Sequence, residues 1–530
     1  MRKSLLASLM LAPFVLGAVL FVGQLASGIC LSLLPVWHGC TGSQSLEDGA
    51  TYSGAWQWNA RSGQGVLHMP DGKIYTGDFV EGARTGTGEE VLVNGDRYTG
   101  DFVDGLRQGK GEEVLANGDR FTGDFVGGLR QGKGEEVLAN GDRFTGDFVD
   151  GLRQGKGEEV LANGDRFTGD FVDGLRQGKG EEVLANGDRF TGDFVNGLRQ
   201  GTGEELLASG ERYTGRFAAG ARQGQGALVY VNGDTYEGEF ADGVPHGRGV
   251  MERAVSGAVI RGTFENGAPV EGVMVTPTDT YEGGFRMLEE GICRHGKGRW
   301  TLNSGFVYVG DFVDCKRHGE GFQTDGPVSY SGAFKDDRFH GEGRYVWADG
   351  SSYVGTFVEG KIHGKGRREF ANGNVYEGEF NEGEFHGEGV EVYANGTEYR
   401  GTYVNGVREG HFFARFPNGV TYTGAFKQNR FNGHGVYVHE DGAVSEGTYV
   451  NDSREGFFKL KFTNGERYEG NMANDAKHGQ GVLYWPNGDR YDGNFENGRI
   501  SGFGTLYHAD GRRSTGTWRV KPNGQSELVQ

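Results

Sequence analysis

A repeat of 23 residues runs through most of this 530-residue chain and restricts its fold more than any other feature. Each unit opens with the pattern aromatic-x-Gly-x-aromatic. Units begin every 23 residues from Tyr52 to Tyr236 and from Tyr330 to Ser514, with looser spacing between these two runs. Of twenty-one units, three lack the opening aromatic and start at Ile260, Ser445 and Ser514. A period held over so many units predicts a tandem-repeat fold.

Two turns are expected in every unit, as in Phe121 to Arg143, FTGDFVGGLRQGKGEEVLANGDR. Asn140-Gly141 is the pair favoured in type I′ hairpin turns, where both central residues have positive φ. The second turn is expected around Gly128. Two turns in 23 residues leave room for two short strands and no helix. The predicted fold class is all-β: an elongated antiparallel β-hairpin array of about twenty-one units, preceded by an N-terminal hydrophobic segment.

One face of the first strand is aromatic. Alternation puts Phe121, Gly123 and Phe125 on that face, and Gly132 and Gly134 of the second strand leave space for a neighbouring ring. A single unit cannot bury this face, so stability must come from stacking on adjacent units. The aromatics that define the repeat include Tyr75, Tyr98, Phe121, Tyr236, Tyr353, Tyr376, Tyr399, Tyr468 and Tyr491.

Composition narrows the classes of partner. The chain has 100 glycines, but its 12% aromatic content argues against disorder. A net charge of -19 argues against nucleic acid as a partner, since binding would need clustered Lys and Arg. Basic or neutral partners fit better.

The composition of residues 1–40 predicts a membrane anchor or signal segment. After Arg2 and Lys3 the chain carries no charge through Trp37, and residues 9–28 are long enough to cross a bilayer as a helix. Retention as a signal anchor is favoured over cleavage after Gly28, because the apolar stretch is longer than a usual signal core.

The charges that flank this segment predict its orientation. Arg2 and Lys3 precede it, and Glu47 and Asp48 follow it. The positive-inside rule then predicts a single-pass membrane protein with a cytoplasmic N-terminus and extracytoplasmic repeats. The alternatives are secretion after signal cleavage and repeats that lie in the cytoplasm.

The segments YEGEF at Tyr236, HGKG at His363 and ANGNVYEGEF from Ala371 resemble MORN (membrane occupation and recognition nexus) repeats. The resemblance covers residues 52 to about 518 and recurs in register. It implies an antiparallel β-meander used for scaffolding, oligomer assembly or membrane apposition, with lipid headgroups as further partners. Some relatives add a lipid kinase or methyltransferase domain, whereas only twelve residues follow Trp518, so no catalytic domain is expected.

Recurring polar residues are interpreted as structural. Histidines such as His340 and His386 recur at unit position 11, but equivalent positions lie two strands apart, about 10 Å, too far to share a zinc ion. Glu135 and Glu136 point to opposite faces without a general-acid environment, which predicts a solvated face. No nucleophile with a base, phosphate loop or metal cluster stands outside the repeat. We therefore predict no catalytic, cofactor or metal site and no enzyme.

Cys293 and Cys315 are candidates for a disulfide. A four-residue insertion is expected to place Cys293 in the turn of one unit, and Cys315 replaces the turn glycine of the next. A bond needs Cα atoms within about 7 Å, so the inserted loop would have to bend over. The alternative is two unpaired residues in an irregular linker. Cys30 and Cys40 lie in or beside the apolar segment, and neither has a good context for lipidation.

The repeat pattern also predicts the domain organisation. Irregular units, which include Pro269, predict a bend between two arrays. The expected domains are residues 1–40 as the anchor or signal segment, 41–241 as near-identical repeats, 242–306 as irregular repeats, 307–518 as a second array and 519–530 as a polar tail.

The leading hypothesis is a non-catalytic, membrane-tethered MORN scaffold that binds a protein partner, associates with itself or holds membranes in apposition. The alternative is an exported protein whose aromatic faces bind glycan or cell-wall polymer. Exposed rings at Tyr353 and Tyr376 would favour the alternative, and buried rings would favour the scaffold. Near-identical units suggest a repetitive partner, because a weak site offered several times gives avidity.

Overall fold

The computed structural model describes Cys30 and residues 36–529. This part of the chain forms 43 β-strands and no helix, so it contains no helical segment with the length and hydropathy for a membrane crossing. Strands that follow one another in the chain pair antiparallel. The all-β repeat array predicted from the sequence is confirmed. The predicted anchor at residues 1–40 lies outside the described residues, apart from Cys30 and residues 36–40.

The chain divides into an N-terminal body, Met1–Val244, and a C-terminal body, Pro245–Gln530. The strands of the N-terminal body are β1 (Cys40–Ser45), β2 (Thr51–Gln57), β3 (Ala60–His68), β4 (Ile74–Val80), β5 (Ala83–Val91), β6 (Arg97–Val103), β7 (Leu106–Val114), β8 (Arg120–Val126), β9 (Leu129–Val137), β10 (Arg143–Val149), β11 (Leu152–Val160), β12 (Arg166–Val172), β13 (Leu175–Val183), β14 (Arg189–Val195), β15 (Leu198–Leu206), β16 (Arg212–Ala218), β17 (Ala221–Val229) and β18 (Thr235–Ala241).

The C-terminal body continues the same hairpin pattern. Its strands are β19 (Val244–Glu252), β20 (Val259–Glu265), β21 (Ala268–Val275), β22 (Asp279–Leu288), β23 (Gly291–Leu302), β24 (Val307–Val313), β25 (Lys316–Asp325), β26 (Val328–Lys335), β27 (Arg338–Val346), β28 (Ser352–Val358), β29 (Lys361–Glu369), β30 (Val375–Asn381), β31 (Glu384–Val392), β32 (Glu398–Val404), β33 (Val407–Arg415), β34 (Thr421–Lys427), β35 (Arg430–Val438), β36 (Val444–Val450), β37 (Ser453–Lys461), β38 (Arg467–Ala473), β39 (Ala476–Tyr484), β40 (Arg490–Glu496), β41 (Arg499–Tyr507), β42 (Arg513–Val520) and β43 (Ser526–Val529). The last strand, β43, falls in the segment expected to be a polar tail and pairs with β42.

The two turns of a unit have types that differ from the prediction. Positive φ at both central residues, which defines type I′, occurs at Asp104 (49°) and Gly105 (85°). At Asn140-Gly141 only Gly141 has positive φ (95°), and its amide donates to the Leu138 carbonyl at 2.9 Å. This is a type I turn followed by a left-handed glycine. The type I′ prediction for Asn140-Gly141 is therefore wrong, because a longer loop joins these strands.

A continuous row of glycines crosses the middle of the strands. Gly134 pairs with Gly123 on one side and with Gly146 on the other. The ring of Phe121 lies over this row, so a Cβ built on Gly134 would stand 2.5 Å from its Cζ atom. A bulge follows, where Gly132 (φ +66°) and Lys133 intervene between paired positions. Glycine is needed here because the ring occupies the space of a side chain.

The rings form an edge-to-face chain through successive units. Phe121 contacts Phe125 of its own unit and Phe148 of the next, with ring centroids 5.3 and 4.8 Å apart. Such contacts stabilise aromatic pairs beyond their area burial. Burial raises the pKa of Tyr98 to about 12, and its hydroxyl donates to the Asp101 carbonyl at 3.2 Å. The repeat-defining aromatics with at most 1% exposed surface are Tyr75, Tyr98, Phe121, Tyr236, Tyr353, Tyr376, Tyr468 and Tyr491.

Tyr399 is the exception among the repeat-defining aromatics. Phe412 replaces the glycine at position 14 of its unit and is fully buried against Gly401. Tyr399 is half-buried instead, with the Arg408 guanidinium 3.6 Å from its ring centroid. In the unit that starts at Ser445, Phe458 makes the same replacement and supplies the ring that the opening residue lacks. A ring can therefore reach this position from either strand.

Hydrogen bonds at the turns join each unit to the next. Asp142 Oδ1 accepts from the amide of Ala162 at 2.8 Å, and this hydrogen bond lowers the pKa of the exposed Asp142 carboxyl. Near the other turn, the amide of Asp150 donates to Gln131 Oε1 at 2.9 Å. Both margins of the array are thus held in register.

We expect Gly134→Ala to lower the free energy of unfolding by about 1–3 kcal/mol, because the new methyl group meets the Phe121 ring in a packed core. Thr122→Ala, on the opposite face, should stay within about 0.5 kcal/mol of the parent protein. Urea unfolding followed by circular dichroism measures both. Equal effects of the two substitutions would contradict the ring-over-glycine arrangement.

Candidate functional site

A groove of about 1550 Å³ runs along the N-terminal body on the face opposite the rings. Three side-chain positions and the glycine backbone line it, and they recur from unit to unit. The recurring groups are the threonines Thr99, Thr122, Thr145, Thr168, Thr191 and Thr214, the lysines Lys110, Lys133, Lys156 and Lys179, and the glutamates Glu112, Glu135, Glu158 and Glu181. A ligand that follows the groove meets the same set of groups every 23 residues.

Ion pairs balance the charges along the groove. Lys133 Nζ lies 2.7 Å from Asp147 of the next unit, and Glu135 lies 3.1 Å from Arg143. The lysine side chain remains 75% exposed, so its ammonium group can exchange a carboxylate partner for a ligand group. Together with exposed hydroxyls such as that of Thr122, these groups suit a polar, extended ligand rather than a buried small molecule.

A half-buried ladder of Arg and Glu covers the rings on the other face. Arg130 stacks 4.7 Å from the Phe121 centroid. Glu136 bridges units, with one carboxylate oxygen 2.7 Å from Arg130 and the other 2.8 Å from Arg153 of the next unit. The ladder runs through Arg84, Glu90, Arg107, Glu113, Arg130, Glu136, Arg153, Glu159, Arg176, Glu182, Arg199, Glu205 and Arg222.

The prediction of a solvated face for Glu135 and Glu136 is right for only one of them. The Glu135 side chain is 44% exposed, whereas that of Glu136 is 14% exposed in the ladder. Sequence reasoning placed the two on opposite faces but missed the arginine at position 10, which recurs in register with the opening ring. That shared register was the signal available in the sequence.

The C-terminal body covers several rings differently. Phe385 replaces the arginine of position 10 and stacks on Tyr376 with ring centroids 3.7 Å apart. Phe339 and Tyr330 stack in the same way at 3.9 Å. The Arg and Glu ladder is therefore a feature of the N-terminal body.

The histidines at position 11 lie on strands beside the bulge. His386 pairs with Glu379 across β30 and β31, and its Nδ1 atom is buried without a hydrogen-bond partner. Within Cys30 and residues 36–529, no group of three or more His, Cys, Asp or Glu side chains could hold a metal ion.

A small cavity of about 270 Å³ lies where Ser445 replaces an opening aromatic. His439 Nε2 is 3.0 Å from Ser445 Oγ, and burial lowers the pKa of His439. Ser445 is only 3% exposed. The contact satisfies the buried serine hydroxyl and the half-buried imidazole, and the serine hydroxyl is not accessible to a substrate.

The four cysteines lie in two pairs. Cys293 and Cys315 have Cα atoms 4.8 Å apart, and Cys30 and Cys40 have Cα atoms 5.1 Å apart, both in disulfide geometry. Cys293 lies on β23, opposite Arg286, and not in a turn as expected, because the insertion lengthens the hairpin of β22 and β23. Sequence reasoning did not pair Cys30 with Cys40. The Cys293–Cys315 bond stays a prediction that a thiol assay tests.

Rings and glycines that interlock between tandem hairpins define an all-β tandem-repeat protein. The profile of the MORN repeat matches more than half of the chain, at residues 52–74, 75–97, 98–120, 121–143, 144–166, 167–189, 190–212, 213–235, 236–255, 330–352, 353–375, 376–398, 399–420, 422–444, 468–490 and 491–512. The chain therefore belongs to the MORN repeat family, which confirms the resemblance.

Solved structures with similar strands include the TCP domain of Drosophila melanogaster SAS-4 in complex with a proline-rich motif of Ana2. That match has 13% identity and a TM-score of 0.21, and covers 33% of this chain and 89% of that chain. The G-box domain of the microcephaly protein CPAP matches with 18% identity and a TM-score of 0.23, and covers 35% of this chain and 97% of that chain. TM-scores this low carry no inference about function. A comparison with curated proteins found no match.

We expect Glu136→Gln to destabilise the N-terminal body by about 1.5–3 kcal/mol, because two half-buried guanidinium groups lose a charged partner. Glu135→Gln, one residue away on the exposed face, should cost about 0–1 kcal/mol. Thermal and urea unfolding of the two variants give the comparison. Equal losses of stability in the two variants would mean that an ion pair of the ladder stabilises the protein no more than an exposed ion pair does.

Proposed function

We propose that this protein is a non-catalytic MORN scaffold whose N-terminal body holds an extended segment of a protein partner in the groove opposite the rings. The observation that carries this proposal is the repetition of one set of groove groups, Thr, Lys and Glu, in successive units. An extended chain is the ligand shape that can meet such a row of sites.

Repetition makes weak contacts effective. Each unit offers an exposed hydroxyl and two ion-paired side chains, which together bind one short stretch of chain only weakly. When several stretches of one ligand bind in adjacent units, each later contact is intramolecular and the combined affinity rises. The net charge of -19 favours a partner that is basic or neutral.

The polar side chains of the described residues are held in structural contacts, which favours a scaffold role. Ser445 is buried and hydrogen-bonded to the half-buried His439, and the groove groups are held in ion pairs on a solvated surface. The glycan-binding alternative needs exposed rings at Tyr353 and Tyr376, and both are fully buried. The scaffold is the function that agrees with these positions.

The proposal includes the tether inferred from residues 1–40 and repeats outside the cytoplasm. Two cysteine pairs in disulfide geometry support this location, because disulfides persist in oxidising compartments. The Cys30 and Cys40 pair lies at the C-terminal end of this segment, after the apolar stretch of residues 9–28. There, Trp37 packs edge-on against Trp56 of the first repeat unit at 5.1 Å.

Photocrosslinking tests the groove. A benzophenone side chain is introduced at Thr145 or Thr168 in the full-length protein in its native cells. We expect these positions to give a heterologous adduct of defined mass, identified by mass spectrometry. Ala162 and Ala185, exposed in the turns at the array margin, serve as controls and should give none. Adducts of equal yield at all four positions, or none at Thr145 and Thr168, would rule out the groove as the binding surface.

Protease accessibility tests the location. In intact cells, added protease should digest the repeats, and Cys293 and Cys315 should be blocked to a maleimide until a reductant is added. The double variant Cys293→Ser, Cys315→Ser controls for the labelling. Protected repeats with reactive thiols would place the array in the cytoplasm and overturn the proposed orientation.

A further inference from the structure

The ladder of Arg and Glu begins one unit later than the repeat does. The unit that opens at Tyr52 has Leu67 at position 16, where the following units have a glutamate such as Glu90. Leu67 is buried, with 6% of its surface exposed. Arg61, at position 10 of the same unit, therefore has an apolar neighbour in place of its carboxylate partner.

Each rung of the ladder, meaning one glutamate and the two arginines that it joins, has the same geometry. Glu113 Oε1 lies 2.7 Å from Nη1 of Arg107 in its own unit, and Oε2 lies 2.8 Å from Nη2 of Arg130 in the next. Nε of Arg130 also donates to Oε2 at 2.9 Å. Two guanidinium groups thus hold one carboxylate, with the forked contact that suits arginine and carboxylate groups.

The arginines on either side of Leu67 are Arg61 and Arg84, and both donate to main-chain carbonyls of the turns. Nε and Nη2 of Arg61 donate to the Gly82 carbonyl at 3.1 and 2.7 Å. Nη2 of Arg84 donates to the Gly105 carbonyl at 2.5 Å. In a regular rung the Nε and Nη2 edge binds the glutamate of the preceding unit. A carboxylate next to Leu67 can therefore bind Arg84 by exchange with a single carbonyl.

A cavity of about 510 Å³ lies at this position on the ring face. Arg61, Leu67 and Arg84 all line it. Its apolar lining also includes Ala50, Met69, Pro70 and Ala83. Sites for small molecules have volumes of about 300–1,000 Å³ and combine apolar lining with a few polar groups that fix the orientation of the ligand. This cavity has both features.

We propose that the cavity binds a small organic acid, whose carboxylate occupies the position that glutamate occupies in the later units. One carboxylate oxygen binds Nη1 of Arg61, and the other binds the Nε and Nη2 edge of Arg84. The apolar body of the acid contacts Leu67 and Met69. The chain itself supplies the template, because the later units place a carboxylate between the same two arginine positions.

The carboxylates on the rim of the cavity are compatible with a bound anion. Asp71 is paired with Lys73 at 2.9 Å, and Asp48 Oδ1 accepts from a main-chain amide two residues further on at 3.0 Å. Asp104 lies in a type I′ turn, at the unit position that Asp150 has beside the regular rungs. Glutamates bind in those rungs, so a turn carboxylate at this position does not exclude a second carboxylate nearby.

The net charge of -19 favours a small acid over an acidic macromolecule. A small acid brings one negative charge to the cavity, whereas an acidic protein segment brings many and is repelled by the field of the whole chain. The cavity is on the face opposite the groove. This inference is therefore independent of the proposed function, and crosslinking from Thr145 in the groove is scored separately from it.

Titration of hexanoate into the full-length protein in detergent, followed by ligand-observed NMR, tests the site. Leu67→Glu supplies the glutamate of a regular rung and should abolish saturable binding, whereas Leu67→Met keeps an apolar side chain and should retain it. Arg61→Gln and Arg84→Gln should each weaken binding at least about tenfold, because each removes a charged donor. Arg97→Gln removes the same charge from an exposed ion pair on the groove face and should leave binding unchanged.

Thermal unfolding of the variants without hexanoate gives a second readout. In Leu67→Glu the new carboxylate lies between two guanidinium groups, so its unfolding midpoint should exceed that of Leu67→Gln, which has the same length and no charge. Circular dichroism verifies that each variant is folded. An equal midpoint for the two variants would show that Arg61 and Arg84 do not hold a carboxylate at this position.

Three results of the titration would overturn the inference. The first is the absence of saturable hexanoate binding to the parent protein, or equal binding to Leu67→Glu. The second is equally strong binding of hexanamide or of inorganic phosphate, because the site would then not select a carboxylate. The third is displacement of hexanoate by a glutamate-containing peptide at a lower concentration than by hexanoate itself, which would assign the cavity to a protein segment.

Discussion

The structure depends on rings that lie over glycine. Each opening aromatic covers the glycines of two paired strands, and a single methyl group at Gly134 would overlap the Phe121 ring. The strands can approach the ring only if those positions carry no side chain, and the ring is buried only if the next unit supplies another ring at its edge. The fold therefore needs glycine beneath each ring and a ring from the next unit at the same time. An insertion or deletion would break this match, which explains why the units vary so little in length.

This requirement is visible in the sequence, and much of the fold follows from it. Alternation in Phe121, Gly123 and Phe125 was enough to predict an aromatic face, strand glycines beneath it and burial by neighbouring units. The turn types could not be assigned in the same way. Asn-Gly suits both a type I′ turn and a type I turn with a left-handed glycine, and the choice depends on the length of the loop that the paired strands leave.

The other differences arise from residues distant in sequence that share one location. Tyr399 matches the repeat pattern, but Phe412 of the partner strand occupies the buried position, which a pattern anchored on the first strand cannot reveal. Glu136 is half-buried because Arg153 of the following unit reaches back to it. The groove itself was not predicted. Its threonine, lysine and glutamate are ordinary strand residues, and only the paired register brings them into one row.

Different side chains cover the rings in the two bodies, and this difference affects how much neighbouring units can vary in sequence. In the N-terminal body, Glu136 binds an arginine of its own unit and one of the next, so a change in one unit leaves an unpaired charge in another. In the C-terminal body, Phe385 stacks on Tyr376 within one unit, and such a local contact allows neighbours to differ. The ladder therefore couples adjacent units and favours uniform sequence on the ring face. Because the fold is stabilised on that face, the opposite face remains available for binding, and uniform units present it as a row of equivalent sites.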